Sequence, residues 1–121
     1  MAVEADPPGW RAGSSSDNGP LRIVRGRVNT TVTATILSGA GFTINRTGVG
    51  LLTVTYSTAF PTGLVPAVTL TGEGDATSII EAGITNGGNV VASFTTQLYR
   101  NTTNAAVDGI FNFHVIGLAS P

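Results

Sequence analysis

At 121 residues the chain is one domain's worth, and 41% apolar content with 7% aromatics supports a single modest core. Charged residues make up only 11%, and the six basic ones are all arginines scattered along a chain of net charge −1, which argues against nucleic-acid binding led by phosphate contacts. With no cysteine there is neither a disulfide nor a thiolate zinc site, and no run approaches the roughly 20 apolar residues of a membrane-spanning helix.

Residues 1 to 20 differ from all that follow. Pro7-Pro8-Gly9, Gly13 to Ser16 and Asp17 to Pro20 are breaker and linker sequences, and no hydrophobic period of 2 or 3.6 is present. The expected division is an extended N-terminal arm over 1–20 and a β-sandwich domain over 21–121. The arm's start is acidic and proline-containing, unlike the basic and apolar start of a secretory signal. Trp10 is the sole tryptophan, and Trp and Arg are favoured interface anchors. Trp10, Arg11, Pro7 and Pro8 are therefore the expected partner-binding residues of the arm.

From Leu21 onward, short alternating runs recur about every ten residues: 22–28, 31–37, 41–46, 51–57, 67–71, 78–84, 89–98 and 110–118. Eight strands at this spacing without a helical stretch predict an all-β fold, an antiparallel eight-stranded β-sandwich or jelly roll. In the segment 39–60, Phe42, Ile44, Leu52, Val54 and Tyr56 fall at every second position, with Thr43, Asn45, Thr53 and Thr55 between them. These two strands reverse at Thr47 to Gly50, and Asn86-Gly87 predicts a further hairpin turn. Between Arg27 and Glu73 the only charge is Arg46, and 18 threonines stand where charges are usual, so the outward faces are expected to be neutral, with Arg46 their single charge.

In the last strand Phe111, Phe113 and Val115 share one face while Ile110, Asn112, His114 and Ile116 share the other. A two-sheet sandwich buries one face per strand, so the second apolar-bearing face predicts cover by the arm or, preferably, another subunit. His114, Asn112 and Ile116 are the candidate trimer or second-face contacts.

Chemistry has few footholds. His114 is the only histidine, so a triad would combine it with Ser38, Ser57, Ser78 or Ser93 and Asp75 or Asp108, yet no Gly-x-Ser-x-Gly elbow occurs. Glu73, Asp75, Glu81 and Asp108 are oxygen ligands in type, but their spacing fits no EF-hand loop. Glu81, mid-strand, calls for a partner among Arg22, Arg25, Arg27 and Arg100. No enzymatic activity, cofactor or metal is expected, and the three Asn-x-Thr matches are expected by chance in a threonine-rich chain.

Arg25 to Val28, Ile36 to Gly48, Tyr56 and the closing Phe111 to Gly117 resemble a β-sandwich module of bacteriophage and actinobacterial proteins. The resemblance spans roughly residues 21 to 118. It implies a trimeric head of the complement and tumour-necrosis type, found in that family at the tips of tail fibres or of collagen-like proteins. Because the sequence has a methionine and only 20 residues ahead of the domain, with no shaft, a capsid decoration or cement protein is the expected role. The expected partners are further copies in a homotrimer and a major capsid or other virion protein, with no nucleic acid and no membrane. The expected location is the capsid exterior after synthesis in the host cytoplasm. The alternative is a receptor- or glycan-binding fibre tip, with Tyr99 and Arg100 beside the loops 72–75, 86–89 and 101–104.

Overall fold

The computed structural model describes residues 20–119. It is all-β: β1 (Leu21–Asn29), β2 (Thr35–Gly39), β3 (Phe42–Gly48), β4 (Leu51–Tyr56), β5 (Ala67–Glu73), β6 (Ile80–Asn89), β7 (Ser93–Arg100) and β8 (Ile110–Leu118). Two four-stranded antiparallel sheets, ordered β2-β1-β8-β5 and β3-β4-β7-β6, enclose one core. β1 pairs with β8 and β4 with β7, so the expected antiparallel eight-stranded β-sandwich holds.

Alternation in the chain becomes two layers because seven of the eight strands offer an apolar row to the same interior, β2 alone being exposed along its whole length. Val24 and Val28 of β1 and Phe111, Phe113 and Val115 of β8 face Leu52, Val54, Phe94 and Leu98 of the opposite sheet. Phe113 is central: its ring meets Phe42 edge-on at 5.0 Å and Phe94 at 5.1 Å between centroids. Each such ring stabilises the fold by about 1.5–3 kcal/mol through burial alone. Gly26 lies between Val24 and Val28 on the inward row, where a Cβ would stand 2.8 Å from Phe42 Cε1 and 2.9 Å from Phe113 Cε2. Its lack of a side chain is what lets those two rings meet.

Three expectations need correction. The second strand starts at Thr35 rather than Thr31, because Thr30 turns inward, fully buried, with its amide bonded to the Gly109 carbonyl at 2.8 Å. Asn86-Gly87 is not the β6–β7 turn: Ile84 pairs with Thr96 and Asn89 with Phe94, so residues 85–88 form a bulge inside β6. The reversal comes at 90–92, because Val91 must reach the core, where its carbonyl also accepts the Phe60 amide at 2.8 Å. Finally, Arg46 does not stand on the threonine face. It shares the inward parity of Phe42 and Ile44, and its charge is met at the end of the sandwich.

Candidate functional site

Strand parity and register build the surface that carries three of the five candidate residues described by the structure, His114, Asn112 and Ile116. Along the outer face of β2-β1-β8-β5, direct neighbours form successive rows: Leu21 with Leu118; Ile23, Ile116 and Ala67; Arg25, His114 and Thr69; Arg27, Asn112 and Thr71; then Asn29, Ile110 and Glu73. His114, Asn112 and Ile116 are thus brought onto one face, as their spacing in β8 requires. In the single chain that face is open: Ile23 is 60% exposed, Leu21 50% and Ile116 44%. The apolar rows lie at the end where the Ala119 amide donates to the Pro20 carbonyl at 2.6 Å.

The rows of Arg27 and of Glu73 are closed on each other. Arg27 makes a two-pronged contact with Glu73, Nε to Oε2 at 2.6 Å and Nη2 to Oε1 at 2.9 Å. Asn112 Nδ2 donates to the same Oε2 at 2.9 Å, so Asn112 serves this ion pair rather than standing free. The Arg27 hydrogen bond first, and that of Asn112 second, hold the Glu73 carboxyl down to about 2 from an ordinary 4.5. A carboxyl whose pKa is depressed on folding stabilises fully above its unfolded value and loses that contribution as pH falls through the folded one. The melting temperature is therefore expected to fall between pH 4.5 and about 2, and less steeply in Glu73→Gln. Parallel thermal-melt profiles for the two proteins would show that the pair contributes nothing.

At the far end, Arg46 and Asp108 make a largely buried clasp. Arg46 Nη2 donates to Asp108 Oδ2 at 2.8 Å, and its Nε to the Thr30 carbonyl at 2.9 Å. Asp108 Oδ1 accepts the Gly50 amide at 2.7 Å and the Thr30 hydroxyl at 3.2 Å. Arg46 is the first cause holding the Asp108 carboxyl below its usual range, and burial opposes it. Gly50, at φ +65°, is required here: a Cβ would collide with the Val107 carbonyl and stand 2.8 Å from that of Leu98. This clasp escaped the sequence reading, although the inward parity of Arg46 was a signal that an acid must meet it.

The loops 74–79 and 101–104 come together at the same end, the Asn101 amide bonding to the Ile79 carbonyl at 3.1 Å, whereas 86–89 sits at the opposite end of β6. Arg100 Nη1 lies 2.6 Å from Asp75 Oδ2 and 2.7 Å from Ser78 Oγ, so the guanidinium braces a turn. The Thr77 amide, and then Arg100, keep the Asp75 carboxyl well below its ordinary range. Tyr99 stands on the outer face of β3-β4-β7-β6, its hydroxyl donating to Glu81 Oε1 at 3.3 Å. Glu81 is thus met by a phenol, not by one of the four arginines considered. The rest of that face is neutral, and Thr53 and Thr95 join their hydroxyls at 2.9 Å.

The structure does not assemble the triad candidates. His114 has Arg25 and Thr69 as row neighbours, while Asp75 and Asp108 are held by Arg100 and Arg46. Among the described residues no three of His, Cys, Asp and Glu form a metal-sized group. Trp10, Arg11, Pro7 and Pro8 lie outside the described residues. In comparisons with protein-family models, curated proteins and solved structures, the chain finds no match.

Proposed function

We propose that the chain is a virion structural protein, a capsid decoration or cement protein that assembles as a homotrimer on the shell and is anchored by residues 1–20. One observation carries the reading: an exposed apolar end on the outer face of β1 and β8 sits at the point where the chain enters the domain, on a body whose ion pairs are closed internally. Exposed apolar patches of this kind mark interaction surfaces. In a cyclic trimer the contact is heterologous, so the face around Ile23, His114 and Ile116 meets a different surface of the neighbouring copy. The neutral threonine face around Thr43, Thr53 and Thr55, with Glu81 as its charge, is a suitable complement to Arg25.

Labelled protein incubated with virions of the encoding phage is expected to co-sediment and to cross-link as trimers. Ile116→Asp is expected to reduce the bound amount at least tenfold with an unchanged melting temperature, since Ile116 is 44% exposed. Wild-type protein that stays in the supernatant, or cross-links only as monomer on virions, would overturn the proposal. In the fibre-tip alternative Nη1 of Arg100 is committed to Asp75 and Ser78, which leaves Nε and Nη2 as its donors for a ligand.

A further inference from the structure

We propose that, in the free chain, residues 1–19 dock in cis on the outer face of the β2-β1-β8-β5 sheet, covering the apolar rows of Leu21, Ile23 and Ile116 and setting acids against Arg25. This goes beyond the shell reading, concerns the protein before any partner is met, and stands or falls without a virion.

The place of attachment is the first argument. The segment joins the domain at Pro20, and the next residue, Leu21, already belongs to the apolar rows. Its reach is sufficient: 19 extended residues span up to about 60 Å. The nine residues of β1 cover about 30 Å. A segment tethered at the edge of its own docking surface meets it at high effective concentration, so even modest contacts keep it bound.

Charge is the second argument. The domain from Leu21 onward holds five arginines and four acids, leaving residues 1–19 with one arginine, Arg11, against Glu4, Asp6 and Asp17. Three arginines of the domain are paired with acids, and Arg22 lies over the Phe60 ring at 4.4 Å. Arg25 forms no salt bridge among the described residues, yet it stands in the row next to Ile23 and Ile116. The surplus acid of the segment thus matches the arginine left on the face. A second copy pairing this face with itself supplies no free acid, because the face's Glu73 is already held by Arg27 and Asn112.

Apolar content is the third. Val3, Pro7, Pro8 and Trp10 are what such a segment needs to cover isoleucine and leucine side chains, and a Trp spends little conformational entropy for the area it covers.

Trp10, as the only tryptophan, is a built-in reporter. In the full-length protein its emission is expected to be blue-shifted, and its quenching by acrylamide several-fold weaker than that of N-acetyltryptophanamide, unchanged on dilution. Ile23→Asp and Arg25→Glu are each expected to raise quenching towards the free-amide level. Both sites are exposed, and an unchanged thermal melt checks that the domain is intact. Wild-type quenching equal to the free amide overturns the proposal, as does protection that survives both substitutions. Protection that vanishes on dilution assigns the face to a second copy and overturns docking in cis.

Discussion

Phe113→Ala is expected to lower the unfolding free energy by about 3–5 kcal/mol, the range for truncating a fully buried phenylalanine. For a domain of this size that is a fall in melting temperature of about 15–25 °C. Phe113 is 1% exposed and joins the two sheets, its ring touching Phe42 from β3 and Phe94 from β7. Truncation removes transfer energy and leaves a cavity whose walls are held by strands on both sides, so relaxation recovers little. Phe113→Leu is expected to lose markedly less. Calorimetry on the three proteins checks the ranking, and a Phe113→Ala loss below about 1 kcal/mol would contradict a packed two-layer core.

Asp108→Ala is expected to cost about 3 kcal/mol, near the low end for breaking a buried pair because Arg46 and Asp108 keep about a fifth of their side chains exposed. The loss is larger than for a surface pair because the substitution strands three groups together: the Arg46 guanidinium, the Gly50 amide and the Thr30 hydroxyl. The double variant Arg46→Met/Asp108→Leu is expected to lose less than Asp108→Ala alone, since it leaves no buried charge. Asp108 also has a sign in pH: its carboxyl is depressed on folding, so its contribution is present above the unfolded value and lost as pH falls towards the folded one. Urea unfolding at neutral and acidic pH checks both points. The gap between wild type and Asp108→Ala is expected to narrow in acid.

The two strands from Phe42 to Tyr56 were legible because period-2 alternation is a local property, and Phe42, Leu52, Val54 and Tyr56 are buried as their parity requires. The same parity placed Phe111, Phe113 and Val115 inward and His114 and Ile116 outward. Misreadings arose where local signals competed with distant ones. Asn86-Gly87 does turn the chain, with Gly87 at φ +72°, but the demand that Val91 reach the core moved the reversal four residues on. Arg46 looked solvated because its partner lies 62 residues away. Thr31 looked like the start of a strand because nothing nearby indicates that Gly109 will meet Thr30.

The amino-acid sequence by itself determined the fold class, the faces of most strands and the scarcity of surface charge, because alternation and composition need no long-range information. Only the tertiary structure decided which residues share a surface. The register of β1 on β8 sets Ile23 beside Ile116 and Arg25 beside His114, and antiparallel pairing brings Glu73 and Asn112 to Arg27. Register is fixed by packing rings and methyls across two sheets at once, a condition no segment can satisfy alone. That is why the exposed apolar rows and their neighbouring arginine become visible as one face only in the folded chain.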